Sequence, residues 1–121
     1  MYEVKLRLPW PPSVDHYWRN VGNRILLSAN SRKYKLSVST IVQGARERGE
    51  VGSPMEGRLS AVLSYSAPSR RGWDIDCYFK APLDAMEGAG VYENDRQIRG
   101  IQAIELPYGD SCVYVRLWEL D

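Results

Sequence analysis

Asp74-Ile75-Asp76, followed at helical spacing by Lys80, Asp84 and Glu87, is the stretch of this 121-residue chain whose residue types could do chemistry. Two residues apart on a regular helix point to nearly opposite sides, so the two carboxylates converge only if Asp74 is still extended or capping while Asp76 opens the helix. Ile75 heads an apolar series with Phe79, Leu83 and Met86, which supports that boundary and leaves Asp76, Lys80, Asp84 and Glu87 on the other face. Asp95 can join by reach. A helix over residues 76–88 would be about 18 Å long, and the segment 88–95 extends to about 23 Å, enough to return to the helix's starting end. Asp74, Asp76 and Asp95 could then surround one cation. Hard oxygen ligands without His or Cys suit Mg²⁺, with Mn²⁺ as a substitute. Such a site can activate water and stabilise the charge that develops on a phosphodiester in hydrolysis, with Lys80 beside the phosphate or the leaving oxygen. The same residues also fit a plainer role, a helix cap with a solvated neighbour and an i, i+4 surface pair worth about 0.3–0.5 kcal/mol. Spacing alone leaves both roles open.

The charge balance bears on the choice. Sixteen Lys and Arg against fifteen Asp and Glu give a net +1, which argues against a polyanionic partner until the chain is divided. Through Arg71 there are twelve cations and five carboxylates, a net of +7; from Gly72 onward there are four and ten, a net of −6. A basic region joined to an acidic one is what a metal-dependent enzyme acting on a polyanion needs, cations for phosphates and carboxylates for a metal. It is equally what two regions attracting each other across a fold would show.

The remaining composition bounds the class. With 44% hydrophobic and 26% charged residues, no repeats and no low-complexity runs, the chain is predicted to be one compact soluble domain over residues 1–121, not a disordered, collagenous or coiled-coil protein. The longest uncharged stretch, residues 36–45, is broken by Ser, Thr and Gln and is far short of the roughly 20 apolar residues of a membrane span. The opening Met-Tyr-Glu-Val-Lys lacks the order of a signal peptide, so a cytoplasmic location is expected. Cys77, Cys112 and the single His16 cannot assemble a four-ligand Cys/His zinc site; both thiols read as packed small side chains.

The elements that must position the carboxylates follow from periodicity. Tyr2-Glu3-Val4-Lys5-Leu6-Arg7-Leu8 alternates strictly and predicts a strand with one buried face. Pro9, Pro11 and Pro12 end it in a stiff loop that Trp10, Tyr17 and Trp18 could anchor. Ser28 or Ser31 can cap a helix with Tyr34, Val38, Ile41, Val42 and Ala45 inward, Arg32, Lys33, Lys35, Arg46 and Arg48 outward, and Gly49 as its stop. Residues 59–66 predict a central strand, and 67–72 a loop carrying Arg70 and Arg71. Pro82 lies too deep in a helix starting at Ile75, which predicts a kink near Tyr78 or a break into two short pieces. Residues 98–106 and 112–120 read as strands joined around Tyr108-Gly109-Asp110 in a hairpin. The sum is an α+β domain with a mixed sheet of about four to five strands and two main helices.

The ordered set of motifs resembles the RusA family of Holliday junction resolvases (crossover junction endodeoxyribonucleases), small proteins common in bacteriophages and prophages. Leu8-Pro9-Trp10-Pro11-Pro12-Ser13 is similar to that family's opening signature, and Tyr17, Arg19, Ser28 and Tyr34 to residues of its second segment. Asp74-Ile75-Asp76 with Lys80 and Asp84 resembles its Asp-x-Asp-Asn-x-x-Lys helix motif, and Asp95-Arg96-Gln97-Ile98 its Asp-x-Gln-Val/Ile segment. The resemblance implies a RusA-like fold and a homodimer that binds four-way or branched DNA by its structure. It also implies two opposing nicks made with Mg²⁺ or Mn²⁺, in DNA recombination and repair in a bacterial cytoplasm. It puts Asp74, Asp76 and Asp95 on the essential acidic, metal-holding positions and Lys80 on the catalytic lysine. Arg70, Arg71, Arg19, Arg32 and Lys33, with Lys80, are then the expected DNA contacts. Three positions depart from the pattern: Val14-Asp15 where asparagines are common, Cys77 in place of the usual Asn, and Asn94 in place of a neighbouring acid. Cys77 leaves room for a junction-binding protein with weak or lost catalysis, and a broader flap or branched-DNA nuclease is a further alternative.

Overall fold

The structure, a computed structural model, describes residues 2–120. In chain order the elements are β1 (Glu3–Pro9), β2 (Trp18–Val21), β3 (Arg24–Leu27), α1 (Ala29–Glu47), β4 (Leu59–Ser66), α2 (Lys80–Gly88), β5 (Ile98–Glu105) and β6 (Cys112–Glu119), with short 3₁₀ turns at Val14–His16, Ile75–Tyr78 and Asp95–Gln97. A four-stranded mixed sheet of order β1-β6-β4-β5 carries the two helices, and β2 and β3 form a separate two-stranded ribbon, so the fold is α+β as expected.

The alternation in β1 buries Val4, Leu6 and Leu8 and exposes Lys5 and Arg7. The same face continues through Val113, Val115 and Leu117 of β6 and Leu59, Ala61, Leu63 and Tyr65 of β4, and meets Tyr34, Val38, Val42 and Ala45 of α1 in one core. α1 begins at Ser28, whose Oγ accepts from the Ser31 amide at 3.1 Å. Ser31 is itself buried and donates its hydroxyl to the Tyr17 carbonyl at 2.9 Å, so of the two candidate caps Ser28 caps and Ser31 fastens the helix to the preceding loop. At the other end Gly49 has φ +77°, and the Gly49 and Glu50 amides donate to the Arg46 and Ala45 carbonyls, the glycine-dependent closure that stops the helix.

Two expectations need correction. The strands at 98–106 and 112–120 exist but are not a hairpin: β6 runs antiparallel between β1 and β4, while β5 lies parallel to β4 at the sheet edge. The connection crosses the end of β4 instead of turning back. There the Ser66 hydroxyl donates to the Pro107 carbonyl at 2.8 Å and accepts the Asp110 amide at 3.0 Å, Gly109 donates to the Ala67 carbonyl at 2.7 Å, and Gly109 (φ +129°) and Ser111 (φ +53°) absorb the bend. Composition explains which strand takes which place, since β6 buries Cys112, Val113, Val115 and Leu117 whereas β5 carries Arg99, Gln102 and Glu105. The second correction is the β2–β3 ribbon, where only a loop is expected. Gly22 at φ +61° opens its two-residue turn, and Ile25, 68% exposed, shows that the ribbon stands away from the core. Of the three expected anchors, Trp10 and Tyr17 pack inward and Trp18 stays half exposed.

The break at Pro82 is observed. The 3₁₀ turn at Ile75–Tyr78 and α2 are separate pieces meeting at Phe79, and Pro82 falls in the first turn of α2, where its missing amide has no intrahelical acceptor to lose. Among the described residues no helix is long and apolar enough to cross a membrane.

Candidate active site

Asp74 and Asp76 sit just beyond the end of β4, after the Arg70–Arg71 loop. Asp74 is extended (φ −95°, ψ 115°) and precedes the 3₁₀ turn whose first turn holds Asp76; its carbonyl, not its carboxylate, accepts the Cys77 amide at 3.0 Å. Both side chains are exposed. Neither carboxylate has a cationic partner among the described residues. Trp73, immediately before them, is held by edge contacts to Trp10 and Tyr78, with centroids 5.0 and 5.5 Å away, and by a tilted contact to Tyr65. The aromatic cluster fixes the backbone from which Asp74 projects.

Cys77 occupies the centre of this acidic end. Burial first, and then the negative charges of Asp76, Asp15 and Asp74, push its thiol upward, so it remains a thiol and is unsuited to act as a nucleophile. Asp15, one of the departures from the family pattern, thus contributes to the same negative region.

Asp95 lies between α2 and β5. It opens the 3₁₀ turn capped by Asn94, whose Oδ1 accepts the Arg96 amide at 2.8 Å while Gln97 Oε1 accepts the Asn94 amide at 2.9 Å, so the unusual Asn94 has a structural role as a cap. The Asp95 amide donates to Glu87 Oε1 at 2.6 Å in the last turn of α2. Burial, and then the charges of Asp95, Glu87 and Asp84, raise the Tyr92 hydroxyl, which donates to the Leu83 carbonyl at 2.5 Å. Among the described residues no three His, Cys, Asp or Glu side chains gather closely enough to hold a metal ion. The charges of Asp74, Asp76 and Asp15 all act on Cys77, while the Asp95 backbone is fastened to Glu87. The donor chemistry of the Asp74–Asp76 pair still suits Mg²⁺, which needs only one or two carboxylates besides water and phosphate oxygens.

Lys80 starts α2, half-buried, and its charge acts on Asp84 one turn later. Asp84 is the hub of a network the sequence does not disclose: Tyr17 donates its hydroxyl to Asp84 Oδ2, and Lys35 Nζ lies 3.2 Å from the same oxygen. Desolvation raises this carboxyl, but the hydrogen bonds from Tyr17 and Lys35 and the charges of Lys35 and Lys80 outweigh it and hold it below the ordinary range. The network ties the end of the proline-rich loop and α1 to α2, and therefore sets where Lys80 stands.

The expected DNA contacts divide. Arg19 is exposed on the ribbon, Lys33 is exposed beside Trp10, Pro11 and Pro12, and Arg71 is exposed without a side-chain partner among the described residues. Arg32 donates to the Leu27 carbonyl at 2.6 Å, and Arg70 Nε donates to the Tyr108 hydroxyl at 2.8 Å. Much of the basic outer face of α1 is occupied internally. Lys35 pairs with Asp84, Arg46 donates to the Gly52 and Gly90 carbonyls, and Arg48 pairs with Glu50.

A family model described as Endodeoxyribonuclease RusA matches residues 9–117. The crossover junction endodeoxyribonuclease RusA proteins of Enterobacteria phage 82 and of Escherichia coli strain K12 are each 30% identical over 107 residues, 88% of this chain and 86% of their own length. That of Enterobacteria phage HK97 is 31% identical over 112 residues, 90% of each chain. Matched nearly end to end both by the family model and by relatives of similar length, this chain belongs to the RusA family of endodeoxyribonucleases.

Proposed function

We propose that this protein is a structure-selective endonuclease that resolves four-way DNA junctions by paired nicks in recombination and repair, working as a homodimer in the bacterial cytoplasm with Mg²⁺, or Mn²⁺ in its place. The observation that carries the reading is the family match over residues 9–117. The exposed, cation-free carboxylates of Asp74 and Asp76 beside the Arg70–Arg71 loop support it locally. In this reading Asp74 and Asp76 hold the metal and Asp95 is the third ligand, a part separable by experiment because Asp95→Asn leaves the Asp74–Asp76 pair whole. When bound, the metal would polarise the scissile phosphate and lower the pKa of a coordinated water. The chain's own residues do the rest: Lys80 offers positive charge to the phosphate or leaving oxygen, and Arg70, Arg71, Arg19, Arg32 and Lys33 bind the backbone.

A labelled four-way junction incubated with the protein and Mg²⁺ should yield symmetric paired nicks, and flap and linear substrates much less product. Absence of nicks above an Asp76→Asn control would overturn the enzyme reading. Two equivalent sites fit a pseudo-symmetric junction, so sedimentation or light scattering at micromolar concentration should give the mass of a dimer; a monomeric mass counts against it. Cys77, in place of the usual Asn, keeps a second reading in view, a junction-binding protein with weak or lost catalysis, which would show salt-sensitive junction binding and no cleavage.

A further inference from the structure

Nothing in the core accounts for the apolar residues of the β2–β3 ribbon. Val21, Ile25 and Leu26 are 41, 68 and 38% exposed. A two-stranded hairpin is only marginally stable by itself in water, and this one is held at its root alone. There Tyr17 and Leu27 pack on the core, and the Ser28 amide donates to the Tyr17 carbonyl at 3.0 Å. The root stands at the acidic end, because the Val14–His16 turn that leads into the ribbon packs against the turn carrying Asp76. Cross-strand partners share a face, so the register puts Ile25 on one side of the ribbon and Val21 and Leu26, with Arg19 and Arg24, on the other. Next to the Gly22-Asn23 turn both faces are therefore apolar, one through Ile25 and the other through Val21. The only charges on the two strands, Arg19 and Arg24, are positive, exposed and without a partner among the described residues.

Charge decides what this ribbon fits. A second copy paired along it would bring further cations and no carboxylate to meet Arg19 and Arg24. A wholly apolar partner would desolvate both guanidinium groups without a counter-charge. Nucleic acid supplies the phosphates, but an intact duplex has nothing for the apolar tip, since its base faces are covered by stacking. Where the arms of branched DNA diverge, stacking is interrupted and base faces come within reach on two sides. Apolar side chains wedged between bases, with cations on the neighbouring phosphates, are a general means of holding DNA bent or open. We infer that the ribbon tip is such a wedge. Ile25 and Val21 enter the branch point, each against the bases on its own side, while Arg19 and Arg24 hold the phosphates of an adjoining arm. The inference rests on the reading that the chain acts on branched DNA, and it adds the element that tells a branch point from a continuous duplex.

A four-way junction with 2-aminopurine at its branch point, titrated with the protein in Ca²⁺, should brighten as that base loses its stacking. The double variant Val21→Thr/Ile25→Thr keeps β-branched residues at exposed positions and so keeps the ribbon. It should lose at least half of the brightening and bind the junction about tenfold more weakly, the scale of a few apolar groups no longer buried, with linear duplex binding changed less than twofold. Val21→Ile/Ile25→Val, which leaves the tip apolar, should behave as the wild type. Arg19→Ala/Arg24→Ala should instead weaken junction and duplex binding alike and reduce the salt dependence by about two phosphate contacts. No brightening by the wild-type protein, or wild-type junction affinity in the threonine variant, overturns the wedge and leaves the junction reading standing. So does a loss of affinity that comes with a fall from dimer to monomer in sedimentation, which would make the ribbon an interface between copies. Failure of the wild-type protein to bind the junction at low salt overturns both.

Discussion

Asp76→Asn is expected to lower the rate of junction cleavage in Mg²⁺ by at least about a hundredfold, the upper end of what loss of a mere supporting group around a metal ligand costs. Junction binding should persist or tighten. The substitution is nearly isosteric and the side chain is exposed, so the fold has no reason to change. What changes is charge. A carboxylate with no protein cation nearby is electrostatically available to a divalent ion, and without one it repels a phosphate; an amide does neither with comparable strength. Cleavage and affinity should therefore move in opposite directions. Junction affinity of the wild-type protein should likewise rise with Ca²⁺, and that increase should shrink in Asp76→Asn. Initial rates on a labelled junction, and anisotropy titrations with and without Ca²⁺, check both. Equal cleavage by variant and wild type would remove Asp76 from the site.

Asp84→Ala should destabilise the protein by about 2–3 kcal/mol, from the hydrogen bonds to a charged group that it removes and the buried hydroxyl it orphans. Tyr17 is only 1% exposed and its hydroxyl donates a hydrogen bond to Asp84, so without that acceptor a polar atom loses its partner. Lys35 loses its counter-charge at the same time. A fall in Tm on the order of 10 °C follows for a domain of this size. The pH dependence has a definite sign. The Asp84 carboxyl titrates below its ordinary value of 3.8 in the folded protein, so its contribution is present above that pH and is lost as pH falls through the depressed folded value. Denaturation midpoints of wild type and Asp84→Asn should therefore differ at neutral pH and converge in strong acid. A constant gap across that range would contradict the network.

The elements legible in the sequence are those whose pattern is local and one-sided. β1 and β4 alternate, α1 has a clean inward stripe between Ser28 and Gly49, and Pro82 announces the break ahead of α2. The β2–β3 ribbon was illegible for the opposite reason: Trp18, Arg19, Asn20 and Val21 are all exposed, so neither face imposes an alternation, and only Gly22-Asn23 marks the turn. The placing of β6 between β1 and β4 depends on partners more than forty residues away, which nothing in residues 106–111 reports. In the candidate site, an extended Asp74 just ahead of a helical turn follows from spacing, although the turn opens at Ile75 and α2 only at Lys80. The docking of Asp95 on Glu87 does not, because chain reach sets a limit on where a residue can go and local hydrogen bonds choose within it. Tyr17, Lys35 and Asp84 are unremarkable separately; only packing of α1 on α2 makes them one network.

The interior position of β6 also governs when this protein can exist. Glu3 pairs with Trp118, and Leu59 with Glu119, so the strand synthesised after every other element of the domain is the one that joins its first strand to its middle. At a ribosomal pace of about 5–20 residues per second, a nascent chain lacking β6 holds β1 and β4 with no strand to bridge them for several seconds. Their facing backbone edges and the Val4, Leu6, Leu8 and Leu63 side chains have no sheet to close on in that interval. Completion of the sheet is thus a late and all-at-once event. A ribosome stalled before Cys112 leaves an open, adhesive half-sheet that suits a chaperone or a protease, with the Asp74–Asp76 segment already made.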